Sequence, residues 1–247
     1  MRPLLALPAV RRLAVLALLL LAPVVAAGCG SGGGSDTSGI PDGSDTTAGS
    51  APAATTPATA GNGCKQVKAP AAKKNGGQKK STAKLDAAGT YIVTVQTNCG
   101  TFAFTLNVKD SPNTTAAFAG LVKSGFYDGL IFHRIVPGFV IQGGDPTGTG
   151  EGGPGFSTVD KPPGDAKYTL GVVAMAKTQN EKPGTAGSQF FVVTGADAGL
   201  PPDYALLGKV TSGIGVVQAI GQLGDPADQQ GTPTQTVVMQ KVTIKQS

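Results

Sequence analysis

The chain has no tryptophan and only one histidine among its 247 residues. With one histidine, neither an HExxH zinc site nor another site with several histidine ligands can form. A Ser-His-Asp triad would depend on His133, and the sequence contains no Gly-x-Ser-x-Gly nucleophile elbow. The sequence therefore excludes the common zinc-protease and serine-hydrolase sites, and we expect neither a metal nor another cofactor.

Charged residues are also few, at 14% of the chain, and the net charge of +5 is unevenly distributed. Residues 1–28 contain three arginines and no acid, and residues 29–84 contain seven lysines against three aspartates. Residues 85–247 contain ten basic and twelve acidic residues. The part that can fold is slightly acidic, so we expect no nucleic-acid partner, because such a partner requires a basic folded surface.

The first 28 residues have the pattern of an export signal. A short basic segment precedes an apolar run, Leu13–Leu21, and Pro23 interrupts the stretch before it reaches the ~20 residues of a membrane span. The stretch ends in AAGC, with Cys29 last, and this ending resembles the lipobox of bacterial lipoproteins. The resemblance implies that Cys29 is acylated and that the protein is extracytoplasmic and lipid-anchored to the cell membrane. Ordinary secretion with cleavage near Ala27 is the alternative.

Residues 29–84 are predicted to form a disordered tether. From Gly30 to Gly63 the only large aliphatic side chain is Ile40, and such a stretch buries too little apolar surface to offset the entropy of ordering. The following residues up to Lys84 are rich in lysine. This is typical of a solvated spacer, and attraction to anionic lipid or wall polymer is a second interpretation.

Three cysteines are an odd number for an exported chain. If Cys29 is acylated, Cys64 and Cys99 remain, and an oxidising compartment allows them to pair. We predict a disulfide between these two residues, which would join the end of the tether to the first hairpin. Two free thiols are the alternative.

The residues from 85 to 247 predict one β-rich domain. Apolar and polar residues alternate over Tyr91–Gln96 and again over Phe102–Leu106, and Gly100 lies in the turn between them, as in a β-hairpin. Ser111 and Pro112 are typical of the start of a helix.

The rest of this domain contains short apolar runs bounded by turn residues. A second helix is predicted over Ile214–Ile220. The runs lie at Leu130–Val136, Phe139–Gln142, Tyr168–Ala176, Gln189–Thr194, Ala205–Val210 and Val237–Ile244. Many short strands with only two helices indicate a mainly β, closed or sandwiched antiparallel fold.

The segment from Phe132 to Asp145 reads FHRIVPGFVIQGGD and places Arg134 among apolar residues. A guanidinium cannot act as a general base, because its pKa is above ~12, but it can donate a hydrogen bond without losing its proton. Rotation about an X–Pro bond needs only such a donor. Its barrier of ~18–20 kcal/mol comes from amide resonance, and a donor to the prolyl nitrogen would stabilise the twisted transition state selectively. The glycine-rich residues 143–155 lack the Gly-Lys-Ser/Thr of a phosphate loop and are better interpreted as turns.

Residues from Leu85 to the C-terminus resemble the cyclophilin-type peptidyl-prolyl cis-trans isomerases. The resemblance depends on FHRIVPGFVIQGGD and on GSQFF at Gly187–Phe191, with Met175-Ala176 before the latter and LGKV at Leu207–Val210 after it. It implies a closed eight-stranded antiparallel β-barrel capped by two α-helices, with the peptide groove on the outer face of the barrel.

The resemblance also implies the roles of individual residues. Arg134 would be the catalytic residue. Gln142 would hydrogen-bond both Arg134 and the substrate backbone, and His133 would be a buried, hydrogen-bonded neighbour. The proline pocket would be lined by Phe139, Val140, Phe191 and Leu200, with Tyr204 where the family commonly has histidine, and Ala176, Lys177 and Gln189 would edge the groove toward the residues preceding proline.

These assignments predict a monomeric enzyme that accelerates X–Pro rotation in proline-containing polypeptides and assists the folding of exported proteins. A non-catalytic peptide-binding or holdase module on the same fold is the alternative, and it would lose or misplace Arg134. A structural lipoprotein of the cell wall is a third hypothesis, favoured only by the basic tether.

Overall fold

The structure, a computed structural model, describes residues 63–228 and 230–247. The predicted signal segment, Cys29 and the tether as far as residue 62 therefore lie outside the described residues. No helix within the described ranges is long and apolar enough to cross a membrane.

Eight antiparallel strands close into a barrel, which confirms the predicted fold class. The described strands are β1 (Tyr91–Thr97), β2 (Gly100–Leu106), β3 (Leu130–Val136), β4 (Val140–Gly143), β5 (Thr158–Val159), β6 (Val172–Met175), β7 (Thr185–Ala186), β8 (Phe190–Val193), β9 (Leu206–Ser212) and β10 (Val238–Gln246). The barrel order is β1-β10-β3-β4-β8-β6-β9-β2, and β5 and β7 form a separate two-stranded sheet.

Large side chains fill the barrel, so its interior is a core and not a binding cavity. Phe102, Phe104, Phe132 and Phe190 are each at most 1% exposed. Phe190 packs edge-on against Phe132, with ring centroids 6.1 Å apart. Because side chains alternate along a strand, a residue next to an inward-facing one, such as Phe191, faces out of the barrel.

Helix α1 (Pro112–Lys123) begins where predicted, but its cap differs from the prediction. Ser111 stands at the N-cap position without a capping hydrogen bond from its side chain. Asp160 accepts from Thr114 N at 2.6 Å and from Asn113 Nδ2 at 2.8 Å instead. A carboxylate at a helix N-terminus satisfies free N–H groups and offsets the helix dipole, so a residue distant in sequence replaces the local cap.

Each of the two described helices packs its apolar face on the barrel. In α1, Phe118 lies 6.0 Å from Phe104 between ring centroids. Helix α2 (Ile214–Gly221) buries Val217 and Ile220 completely and contacts β2, β3 and β4.

Residues 63–84, which we call the strap, lie along the domain without regular secondary structure, where the sequence predicts the end of a disordered tether. Lys73 N donates to Pro146 O at 2.7 Å, Gly76 N to Gly153 O at 2.9 Å and Gln78 N to Pro154 O at 2.9 Å. Lys73 Nζ also donates to Phe126 O at 3.0 Å. Backbone hydrogen bonds therefore hold the strap on the domain before residue 85.

The strap begins at a disulfide between Cys64 and Cys99. Cys64 is fully buried, and Lys65 N donates to Asn98 O at 2.8 Å. Asn98 Nδ2 donates to Lys65 O at 2.7 Å and its Oδ1 accepts from Val238 N at 2.8 Å. The first turn of the barrel therefore holds the strap both covalently and by hydrogen bonds.

Candidate active site

Three neighbouring strands place the predicted site residues on one outer face of the barrel. Arg134 on β3 is opposite Gln142 on β4, and Gln142 is opposite Phe191 on β8. Phe191 is in turn opposite Ala174 on β6. Since residues directly opposite one another on antiparallel strands face the same side, Arg134, Gln142 and Phe191 form one row across the sheet.

This row opens into a cleft of about 270 Å³, which we call the apolar cleft. Of the residues predicted to catalyse or to bind substrate, Gln189 alone is outside its lining. The lining consists of Arg134, Phe139, Val140, Gln142, Ala176, Lys177, Gln179, Phe191, Leu200 and Tyr204. The cleft combines an aromatic and aliphatic floor with one guanidinium, as a site for a proline ring beside a hydrogen-bond donor requires.

Phe191 and Tyr204 form part of the floor of the apolar cleft, and the fully buried Tyr168 packs against them from behind. Phe191 and Tyr204 meet edge to face with centroids 5.5 Å apart, and Tyr168 lies 5.8 Å from Tyr204 in the same arrangement. The Tyr168 hydroxyl donates to Tyr204 O at 2.7 Å and accepts from Tyr204 N at 3.0 Å. Burial raises the pKa of Tyr168 to about 12, so the hydroxyl stays protonated and fixes the backbone of Tyr204.

The Arg134 side chain is fixed at the edge of the cleft. Its Nε donates to Gln230 O at 3.1 Å, and its Cζ lies 5.8 Å from the centroid of the Phe139 ring. Burial lowers the pKa of Arg134 while Tyr204 opposes this shift, but a guanidinium remains protonated in proteins. Among the described residues only Nε of this guanidinium has a hydrogen-bond partner, so its two terminal nitrogens can donate to a ligand.

Gln142 differs from its predicted role, because its side chain does not bond Arg134. Gln142 Nε2 donates to Gln189 Oε1 at 3.0 Å, while Gln189 Nε2 donates to Gly150 O at 2.7 Å and Gly152 O at 2.9 Å. The side-chain amide of Gln189, which directly precedes β8, is the hydrogen-bond partner of Gln142 in place of Arg134. Gln142 is thus aligned with Arg134 through the strand register alone.

Gln189 lies in a second and larger cleft of about 530 Å³, which we call the polar cleft. It is lined by residues 150–157 and 187–189, together with Asn75, Gln142, Ala176, Lys177, Thr178 and Glu181. Gln142, Ala176 and Lys177 line both clefts. The two clefts are therefore adjacent parts of one groove.

His133 lies beside Arg134 in sequence but outside the lining of both clefts. The sequence predicts a hydrogen-bonded histidine, whereas neither ring nitrogen has a partner within the described ranges. Burial lowers the pKa of His133, the charge of Asp145 raises it and that of Arg134 lowers it, with a net decrease. This shift favours the neutral imidazole, and a neutral ring avoids charge repulsion with the guanidinium of Arg134.

The sequence did not identify three contributors to the site. Tyr168 positions Tyr204 and Gln230 O positions Arg134, while Gln179 lines the apolar cleft. Tyr168 is the only tyrosine in the six short apolar runs of the domain. A tyrosine in such a run indicates a buried hydroxyl that needs a hydrogen-bond partner. A backbone carbonyl such as that of Gln230 leaves no signal in the sequence.

Comparison with known proteins agrees with this geometry. The family model "Cyclophilin type peptidyl-prolyl cis-trans isomerase/CLD" matches residues 92–244. Peptidyl-prolyl cis-trans isomerase-like 1 of Neurospora crassa is 38% identical over 156 residues, which cover 62% of this chain and 93% of the relative. Peptidyl-prolyl cis-trans isomerase A of Mycobacterium tuberculosis is 38% identical over 173 residues, covering 63% of this chain and 92% of the relative.

Solved structures show the same relationship. A cyclophilin-type peptidyl-prolyl cis-trans isomerase of Cryptosporidium parvum superposes with a TM-score of 0.57 at 32% sequence identity, covering 63% of this chain and 98% of that one. A second crystal structure of that protein, in the presence of the dipeptide Ala-Pro, gives the same TM-score at 33% identity and covers 62% and 98% of the two chains.

Proposed function

This chain belongs to the cyclophilin-type peptidyl-prolyl cis-trans isomerases and is an enzyme of that class, and we propose that Arg134 catalyses the rotation. In the planar substrate, amide resonance withdraws the lone pair of the prolyl nitrogen. In the twisted transition state the lone pair returns to that nitrogen. A donor aimed at it stabilises the twisted form more than either planar form, which is the requirement for catalysis.

The observation that supports this proposal is the placement of one fixed guanidinium at the edge of an apolar cleft. Gln230 O and the Phe139 ring hold Arg134 in place, so little reorganisation is needed as the substrate twists. Phe191, Leu200 and Val140 offer the proline ring an apolar surface and exclude water around the reacting bond. A twisted amide is less polar than a planar one, so exclusion of water favours the transition state.

The required acceleration is within reach of these effects. Bringing an isomerisation of tens of seconds into the millisecond range needs a factor of about 10⁴, which is about 5.4 kcal/mol. Removing one preorganised donor from an enzyme typically costs about 2.7–4 kcal/mol. Arg134 would then supply half or more of the stabilisation, and the apolar cleft the remainder.

The substrate would be a polypeptide with its proline in the apolar cleft. Gln142 would bind the substrate backbone, and Ala176, Lys177 and Gln189 would edge the groove for residues that precede proline. The Ala-Pro dipeptide present with the Cryptosporidium parvum relative supports this class of ligand. We expect one chain to be sufficient, because every proposed site residue comes from the same chain.

The proposed clients are exported proteins that fold close to the membrane, because the first 28 residues have the pattern of an export signal ending at Cys29. Two or more acyl chains, at about 0.8 kcal/mol per buried CH₂, would anchor the chain stably. Cys29→Ser should abolish labelling by a fatty-acid analogue and move the protein out of the membrane fraction. An unlabelled wild-type protein would remove the lipid anchor from the proposal and leave the isomerase untouched.

The enzymatic proposal is tested by X–Pro isomerisation of a short peptide with the wild type, Arg134→Ala and Arg134→Lys. We expect Arg134→Ala to lose about 100-fold or more in kcat/KM, and Arg134→Lys to recover part of it, because an ammonium donates without the planar geometry. Lys245→Ala, an exposed change on β10, should match the wild type. Equal rates for Arg134→Ala and the wild type would show that the arginine is not the donor.

A further inference from the structure

The strap forms part of the wall of the polar cleft, although it precedes the residues that match the family model. Asn75 lines the cleft, and its Oδ1 accepts from Gly153 N at 2.9 Å. Gly76 N donates to Gly153 O at 2.9 Å and Gln78 N to Pro154 O at 2.9 Å. The strap thus pairs with the glycine-rich loop on one side of the cleft.

Close packing keeps the strap at this loop. A Cβ atom on Gly155 would come within 2.9 Å of Gly77 N, so the two backbones approach too closely for a side chain at position 155. The disulfide between Cys64 and Cys99 fixes the strap at its start. Backbone hydrogen bonds on both sides of Gly77 therefore place Asn75 against the glycine-rich loop.

The Asn75 side chain is exposed and has a donor to offer. Its Oδ1 is occupied by Gly153 N, whereas no residue in the described part of the chain accepts from its Nδ2. Opposite, Gln189 Nε2 is already bonded to Gly150 O and Gly152 O. A substrate group that enters the polar cleft and accepts a hydrogen bond can therefore use Asn75 Nδ2.

We propose that Asn75 is a specificity-determining residue that selects substrates with a hydrogen-bond-accepting side chain shortly before proline. The proposal rests on the proposed function, since it requires proline in the apolar cleft. Gln142, Ala176 and Lys177 line both clefts, so a peptide with proline in one cleft has neighbouring residues at the other. Because an extended chain advances ~3.3 Å per residue and the clefts share three lining residues, we place a residue shortly before proline in the polar cleft and test the second one.

The side-chain class follows from the lining of the polar cleft. Its surface is glycine backbone, Asn75, Ser157 and Gln189, with Phe156 and Pro154 as the large apolar members. Lys177 contributes one positive charge, and Glu151 and Glu181 contribute two negative charges, so an anionic acceptor is disfavoured. A neutral polar side chain such as serine, threonine, asparagine or glutamine matches this lining, because it can accept a hydrogen bond from Asn75. A large apolar side chain would shield Asn75 from water and leave its donor without a partner.

The test uses Asn75→Asp in the full chain. Aspartate retains an oxygen for Gly153 N and so preserves the strap contact, but it replaces the donor with a negative charge. We would measure kcat/KM for peptides X-Ala-Pro-Phe in which X is Gln, Leu, Lys or Glu. Gln66→Asp is the matched control, because Gln66 is an exposed amide of the strap outside both clefts.

For the wild type we expect Gln to exceed Leu at X by about fivefold, the value of one neutral hydrogen bond. Asn75→Asp should abolish this preference. It should also raise the ratio of kcat/KM for Lys to that for Glu at least about threefold above the wild-type ratio. Gln66→Asp should retain the wild-type profile, and peptides varied after proline should not distinguish the variants. These ratios are insensitive to a general loss of folded enzyme.

Two results would overturn the inference. Identical X profiles for wild type and Asn75→Asp would exclude contact between Asn75 and the substrate. Equal responses of Asn75→Asp and Gln66→Asp would show a long-range charge effect only. If the wild type does not exceed the uncatalysed rate with any peptide, the proposed function fails instead, and this outcome is recognised before any variant is compared.

Discussion

We expect the Tyr168 hydroxyl to stabilise the site by a calculable amount, because it forms two hydrogen bonds with one site residue, Tyr204. It donates to Tyr204 O at 2.7 Å and accepts from Tyr204 N at 3.0 Å. Tyr168→Phe removes both bonds and changes no other heavy atom. At about 1 kcal/mol net for each bond, the domain should lose about 2 kcal/mol of unfolding free energy, or about 6 °C in Tm.

The same substitution should affect substrate binding more than catalysis. Tyr204 packs against Phe191 with ring centroids 5.5 Å apart, so a loosened Tyr204 weakens the wall of the apolar cleft while Arg134 keeps its own support at Gln230 O. We expect KM to rise about threefold with kcat nearly unchanged, as when an interaction common to ground and transition state is removed. Urea denaturation and isomerisation kinetics measure the two effects.

The pH dependence of the stability difference gives an internal check. Burial raises the pKa of Tyr168 to about 12, from an ordinary value of 10.0. The folded state therefore keeps this proton to higher pH than the unfolded state. The resulting stability is fully present below pH 10 and is lost as pH rises toward about 12. Tyr168→Phe has no such loss, so its deficit relative to the wild type should shrink over that range.

A control separates this effect from a general response to tyrosine loss. Tyr91→Phe removes one hydrogen bond, from Asp86 N at 3.0 Å, at a position outside both clefts. It should cost about half as much stability and leave KM unchanged. If Tyr168→Phe is as stable as the wild type, or if it raises KM no more than Tyr91→Phe does, the assigned role of Tyr168 is incorrect.

Two further changes test the strap and the loop behind the site. Removing the disulfide with Cys64→Ser and Cys99→Ser together should cost about 4 kcal/mol in urea denaturation, the chain-entropy value for a sequence separation of 35, and an unchanged midpoint would contradict this. Gly144→Ala should cost at least about 3 kcal/mol, because Gly144 has φ +90° and a Cβ there would collide with Ser188 O. Gly164→Ala, with no neighbour within 4 Å, should be neutral in the same experiment.

Period-two alternation was sufficient for a mainly β antiparallel fold, because it reflects a face that must be buried, whereas the closed eight-stranded barrel was implied by the family resemblance. Phe190 and Phe191 illustrate this: one fills the interior and its neighbour forms the cleft floor. Arg134 could be identified because a lone arginine among apolar residues has few structural explanations. These signals are local, and they were therefore visible without the structure.

Other features depend on contacts that no local pattern specifies. Asp160 caps α1 from 46 residues away, and Gln230 O supports Arg134 from 96 residues away. The strap is held by backbone hydrogen bonds and one disulfide, so its composition indicates a tether although its backbone pairs with the domain. Gln142 was predicted to bond Arg134, and only the folded geometry shows that its side chain bonds Gln189.

The central claim, that Arg134 stabilises the twisted amide and not the bound planar peptide, is tested most directly by NMR exchange on enzyme saturated with a prolyl peptide. This measurement gives the cis–trans interconversion rate on the enzyme and the Kd from one titration. We predict that Arg134→Ala lowers the on-enzyme rate about 100-fold or more while Kd changes by less than about threefold. A rate equal to that of the wild type, or a loss of activity that Kd alone accounts for, would contradict the claim.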